Sequence, residues 1–209
     1  MGRQWALDTI TGGPAIVRNG RMDLLATNLL GWAMHSALYD SPAACAGGPP
    51  NFARYTFLDP DSRTSYPDWD AAARICVTIL RTEAGRAPHD KAMHDLVGEL
   101  STRSSDFAAL WSAHDVRLHG VGTTTFHHTA VGDLELAYEG LERLSAPGLS
   151  LTLYSAEPGS PTAQALSLLA AWAATEHAEH PAEAPAPAGG APLGSSPVRP
   201  TPLDPQKPR

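Results

Sequence analysis

Along the first half of this chain, apolar residues return at intervals of three and four. Between Asn28 and Tyr39, the residues Leu29, Leu30, Ala33, Met34 and Leu38 keep that spacing, which lines one face of an α-helix. The stretch 51–58 reads as a short helix closed by Asp59-Pro60. From Ala71 to Ala84 the stripe is Ala72, Ile75, Cys76, Ile79 and Leu80, with Gly85 as a stop; from His89 to Leu100 it is Met93, Leu96, Val97 and Leu100. Another helix begins near Ser104 or Ser105 as N-cap and carries Phe107, Leu110, Trp111 and His114 on one face. Beyond Val116 the period drops to two, the mark of half-buried strands. Leu134, Leu136 and Tyr138 alternate with Glu135 and Ala137, and Leu149, Leu151 and Leu153 with Ser150 and Thr152. Two short runs, 14–18 and 21–25, flank Asn19-Gly20, a pair that tolerates the positive φ of a type I′ hairpin turn. At the far end Ser160 caps, and Pro161 opens, a helix running to about Glu176 on Leu166, Leu169, Ala170 and Trp172.

The order is a hairpin, several helices, three antiparallel strands and a closing helix. It predicts an α+β, PAS-like fold: a five-stranded antiparallel sheet with helices packed on one face and a C-terminal helix. Small molecules bind such folds between helices and sheet. Fold alone assigns no function.

Composition divides the chain. Nine of its 19 prolines fall in 181–209, where only Leu193, Val198 and Leu203 are large and apolar. Such a segment cannot bury enough surface to offset its ordering entropy, which predicts one domain over 1–177 and a disordered Pro/Ala-rich tail over 178–209. Residues 181–209 carry two acids against three bases, a net of +1 within the chain's −7, so residues 1–180 carry −8. An acidic domain without a Lys/Arg cluster is poorly suited to hold DNA, RNA or an anionic membrane surface. Cys45 and Cys76 are too few for a disulfide framework and lack CxxC spacing. No run of signal-peptide or membrane-spanning length is present, so a cytoplasmic protein is expected.

Templates for catalysis are missing: there is no GxSxG, no Gly-rich phosphate loop and no HExxH helix. No enzyme activity, cofactor or metal is therefore expected. His177 and His180, at i and i+3, lack a third ligand. His119, His127 and His128 are a second cluster, but neighbours on a strand point to opposite faces, so His127 and His128 cannot share one ion. A loop of Ala130-Val131-Gly132, with Gly132 in the left-handed region, pairs Phe126 with Leu136 and His128 with Leu134. It turns His128 toward the helices and sets His127 opposite Glu135 outside; a two-residue Val131-Gly132 loop reverses these roles.

Five stretches carry a resemblance: PAIVRNGRMDLLATN at 14–28, FLDPDSRTSYPDWD at 57–70, LVGELSTRSSDFAALWSAHDVRLHG at 96–120, FHHTAVGDLELAYE at 126–139 and YSAEPGSPTAQALSLLA at 154–170. In this order they resemble the ligand-binding domain of MmyB-like transcription regulators. The resemblance implies a PAS-like sensor for a long-chain fatty acid or similar lipid, joined in full-length members to an N-terminal Xre-type helix-turn-helix domain. Here the chain begins within a few residues of the sensor. Either the reading head is missing or the true start lies upstream, and no direct DNA binding by this chain alone is expected. Pairing as a homodimer, or as a heterodimer with full-length relatives, is the companion expectation. An enzyme acting on a small amphipathic molecule is the remaining alternative.

A fatty acid needs apolar walls and one or two donors for its carboxylate. Trp32, Trp111, Phe126, Leu136 and Tyr138 are the wall residues, with His128 as a sixth if it faces inward; aromatics at such spacing also serve as ordinary core. For the head group the first choice is Arg117, because guanidinium matches carboxylate with two parallel hydrogen bonds, and the second is His114. Arg117 could equally pair with Asp115 or Asp68. Asn28 is placed to orient the first helix against the sheet.

Overall fold

The computed structural model describes residues 6–113, 121–142 and 148–179. Five strands form one sheet: β1 (Ala15–Asn19), β2 (Leu24–Thr27), β3 (Val121–His128), β4 (Gly132–Glu142) and β5 (Leu149–Ser155). Their order is β2-β1-β5-β4-β3 and every pairing is antiparallel, so the predicted α+β architecture is present. Between β2 and β3 the chain runs through α1 (Leu29–Met34), α2 (Ser36–Asp40), α3 (Phe52–Leu58), α4 (Ser62–Ser65), α5 (Trp69–Arg86), α6 (Lys91–Arg103) and α7 (Ser105–Ser112). After β5 comes α8 (Pro161–Glu179), which packs on α1 and β4. No helix among the described residues is long and apolar enough to cross a membrane.

Register decides which face of the sheet is covered. Ile16 pairs with Thr152, Thr152 with Gly140, and Phe126 with Leu134. Leu134 and Leu136 are fully buried, so this row faces the helices. One consequence is that Ser150 and Thr152 of β5 point inward and are buried, while Leu149, Leu151 and Leu153 lie half-buried on the opposite face. A period of two reports alternation; only the pairing partners say which set turns in.

The caps explain most helix boundaries. The side-chain oxygens of Asn51, Asp68, Asp90 and Ser104 accept from the first turns of α3, α5, α6 and α7, and Ser160 does the same for α8. Gly85 is not the stop that its position suggests, since α5 continues through it to Arg86. The helix read across 28–39 is two helices, broken at His35, whose ring is taken up by the core between Phe52, Phe126 and Tyr154.

The first hairpin also differs from its sequence reading. Asn19 closes β1, and its side-chain oxygen accepts from the backbone N–H of Arg21 and of Asp23, while Met22, not Gly20, takes the positive φ of 67°. Asparagine's bonding to its own loop replaces the tight two-residue turn, and the register slips between Val17 and Arg18.

Asn28 joins the first helix to the sheet. Its oxygen accepts from Ala15 N (2.9 Å) and Gly31 N (2.8 Å), and its amide donates to the carbonyls of Ile10 and Gly13. A Cβ on Gly31 would stand 2.5 Å from the Ala15 carbonyl oxygen, so only glycine allows α1 to approach this closely. Asn28→Ala leaves several buried backbone groups unpaired and is expected to cost about 2 kcal/mol. Urea denaturation checks this; an unchanged midpoint would refute the pinning role.

Candidate functional site

Under α5 the inner face of the sheet is not filled. A cavity of about 120 Å³ lies there, walled by Ala72, Ile75, Cys76 and Ile79 of α5, by Met22 and Phe52, and by Ile16, Phe126, Tyr138 and Tyr154 of the sheet. The α5 residues are four of the five in the stripe that the sequence shows, so the stripe is a cavity wall as well as core. Its walls are mostly apolar and aromatic, as in sites for small organic ligands.

Polar side chains interrupt that lining, among them Thr56, Thr124 and Thr152 and two with unmet bonding capacity, Arg18 and His35. Arg18 on β1 lies among the wall residues, two positions from Ile16 and on the same face. Among the described residues no carboxylate comes within 4.0 Å of it, and its one hydrogen bond, 3.5 Å to the Asn19 carbonyl, is at the limit of length. Burial lowers the pKa of its guanidinium below the usual arginine value, against the opposing pull of Tyr154, Cys76, Glu83 and Glu142. Arginine stays charged under any such shift in a folded protein, so the cavity wall holds a cation without an ion-pair partner among the described residues. Arg18 also borders a second, polar recess of about 260 Å³, shared with Thr82, Glu83, Arg86 and Glu142. There Arg86 pairs directly with both Glu83 (2.8 Å) and Glu142 (2.7 Å), while Arg18 feels the two carboxylates only at longer range.

The second is His35, 5% exposed, with its ring edge-on to Phe52, Phe126 and Tyr154. Its Nε2 is buried and has no hydrogen-bond partner among the described residues. An orphaned buried polar atom costs about 1–3 kcal/mol, so such atoms are rare and usually have a reason. Burial, helped by the neighbouring His128, pushes the His35 pKa down to about 3, so the ring is neutral at physiological pH.

The residues named from sequence separate into those at the cavity and those elsewhere. Phe126 and Tyr138 line it. Leu136 is fully buried in the adjoining core. Trp32 stacks on Trp172 (6.1 Å) and Trp111 on Phe107 (5.4 Å), both as packing away from the cavity. Asn28 is a cap and tether, not a wall. Arg117, His114 and His119 lie outside the described residues, as do the side chains of His177 and His180 and the tail from 180.

His128 turns inward as expected, but by a different register. The loop is 129–131, Gly132 takes φ 76°, and Phe126 pairs with Leu134, His127 with Asp133 and His128 with Gly132. The shift of two residues preserves which face each histidine occupies and changes the partners. His128 bonds through Nε2 to the Ala33 carbonyl (3.0 Å) and lies edge-on to Trp172, so it anchors α1 and does not wall the cavity. His127 meets Asp133 at 2.6 Å on the exposed face, not Glu135. An exposed pair of this kind contributes little, and His127→Ala is expected to shift stability by less than about 0.5 kcal/mol in thermal melts.

A family model of the MmyB-like transcription regulator ligand binding domain matches residues 2–169. The chain belongs to this family. No curated protein matches it. In this MmyB-like ligand-binding domain the cavity brings together an apolar wall, a half-buried cation and an imidazole unpaired among the described residues. Nothing there forms a reactive constellation. The Cys76 thiol is pushed up to about 11, mainly by burial, so it stays protonated. Among the described residues no group of three or more His, Cys, Asp or Glu is placed to hold a metal ion. The arrangement suits holding a molecule more than transforming one.

Arg18 and His35 escape a reading by motif, yet each left a trace. Arg18 lies two residues from Ile16 within an apolar run, and His35 falls on the apolar face of its helical stretch, between Gly31 and Leu38 at i−4 and i+3.

Proposed function

We propose that this domain is the sensor of a transcription regulator and that its ligand is an acid with an apolar body, its carboxylate held by Arg18 within the cavity under α5. The observation that carries this reading is the half-buried guanidinium, without an ion-pair partner among the described residues, in a mostly apolar wall. A charge-assisted, two-pronged bond to a carboxylate is the interaction guanidinium makes best, and it is stronger away from water. A fatty acid is one member of that class. The cavity's size favours a short chain, or a longer one that displaces α5 or continues past Arg18.

The PAS-like arrangement supports the same reading, since the ligand then lies between the helices and the sheet that they cover. Occupancy would alter the seating of α5 and pass to a helix-turn-helix module on the same polypeptide or on a relative with which this domain pairs.

Solvent extraction of the purified protein followed by mass spectrometry tests the proposal. A carboxylic acid recovered from wild type and missing from Arg18→Met is the expected result. A wild-type protein that carries no acid and binds none on addition would refute it.

A further inference from the structure

Of the cavity's polar side chains, Arg18 and His35 have bonding capacity that no described residue meets, and a simple fatty acid uses only one of them. We propose that the ligand is a compact oxygenated acid, with its carboxylate on Arg18 and a hydroxyl or keto oxygen at its other end on Nε2 of His35. This rests on the acid-binding reading of the same cavity and narrows it.

Three observations support the second anchor. Nε2 of His35 is buried and unpartnered among the described residues, on a side chain that lines the cavity. The ring is clamped edge-on by Phe52, Phe126 and Tyr154, with centroids at 5.0, 5.4 and 6.1 Å, so it is held in place ready to bind. The backbone positions behind the two anchors are also apart, while the Tyr154 phenol lies within electrostatic reach of Arg18 and its ring touches His35. Arg18 is in register with Ser150, whereas His35 contacts Tyr154, four residues further along β5 and roughly 13 Å away at ~3.3 Å per residue.

Chemistry at each end then sets the class. A neutral imidazole nitrogen donates or accepts one hydrogen bond, according to its tautomer. That suits an alcohol, phenol or ketone and not a second carboxylate, which would require a cation. Size limits what lies between. An apolar cavity of about 150 Å³ accommodates benzene, so about 120 Å³ encloses at most one ring or a chain of similar bulk, with the polar ends lying against the lining side chains. The aromatic walls, Phe52, Tyr66, Phe126 and Tyr154, offer edges and faces to such a ring.

Calorimetric titration of the full chain with 3-(4-hydroxyphenyl)propanoate, 3-phenylpropanoate and tetradecanoate tests this. Wild type is expected to bind the hydroxylated acid about tenfold more tightly than its deoxy analogue, and tetradecanoate more weakly than either. In His35→Phe that preference disappears while binding of 3-phenylpropanoate persists. His35→Leu is the second variant, and the wild-type ratio alone decides if neither folds. Equal binding of the two aryl acids, or binding of tetradecanoate alone, overturns the inference; if that binding is still lost in Arg18→Met, the acid-binding reading stands. Failure of all three acids to bind overturns both.

Discussion

Arg18→Met is expected to weaken binding of a monocarboxylate such as 3-phenylpropanoate by at least about 100-fold, close to 3 kcal/mol at ~1.4 kcal/mol per factor of ten, while raising the melting temperature of the ligand-free domain. The opposite signs follow from one cause. Without ligand, the guanidinium is half-buried, with no carboxylate of the described residues within 4.0 Å and a single marginal hydrogen bond. Methionine has similar reach and no charge to desolvate, and replacing buried charges by well-packed apolar groups is often neutral or stabilising. With ligand, the same guanidinium forms two charge-assisted bonds that methionine cannot form. Arg18→Lys keeps the charge but loses the planar fork, so an intermediate loss of about tenfold is expected. Titration calorimetry and thermal melts separate this from a purely structural role. If Arg18 merely balances Glu83 and Glu142 at a distance, the methionine variant melts lower and binds as well as wild type.

Such a trade is what a binding site costs an empty protein. A cation without a partner and an orphaned imidazole nitrogen both lower the stability of the ligand-free state, and both line one cavity. Elsewhere among the described residues the large arginine pairs are satisfied conventionally: Arg54 with Glu99, Arg63 with Asp106, Arg21 with Asp23 and Asp90. Arg81 is the exception, with Nη1 buried beside Trp111 and unpartnered among the described residues, so what sets Arg18 apart is its place in the cavity wall with His35.

Helical stripes and caps made the α-helices legible, because spacing of three and four reports directly on a helix face. Asp90, Ser104 and Ser160 cap α6, α7 and α8, and the last two were readable as caps from their position before apolar runs. Strands were legible as elements but not as faces. The leucines of β5 form the stronger apolar row, yet Ser150 and Thr152 turn inward, because the strand's place between β1 and β4 is a long-range fact. Arg18 went unrecognised for the same reason: a charged residue in a strand reads as solvent-facing until its register with Ser150 is known. His35 was hidden by the break between α1 and α2, which carries no glycine or proline to announce it. The aromatic residues named as walls divide by their packing. Phe126 and Tyr138 reach the cavity, but Trp32 and Trp111 are consumed by stacking on Trp172 and Phe107, which no local pattern specifies.

Acid is expected to destabilise this domain well above the pH at which carboxylates protonate, with His35 as a principal cause. Its pKa is about 3 in the folded state, depressed by burial first and by His128 second, against 6.5 as its ordinary value. The unfolded chain therefore takes up a proton near pH 6.5 that the folded domain refuses until about pH 3. Stability is whole above the first value and falls as pH drops toward the second, by about 1.4 kcal/mol per pH unit in the interval. The loss reaches on the order of 4 kcal/mol by roughly pH 3.5. His128 adds a slope of the same sign, since burial lowers its pKa too, and Arg18 and the protonated phenol of Tyr154 offer the imidazolium no anion. Comparison with His35→Phe isolates the His35 contribution, because carboxylates and His128 remain in both proteins. Urea denaturation at a series of pH values from about 7 to 4 reads the difference. Wild-type stability should fall more steeply than that of His35→Phe throughout the interval. Parallel curves would show that the folded domain protonates His35 freely, and that the imidazole is hydrated instead of sealed into the cavity wall.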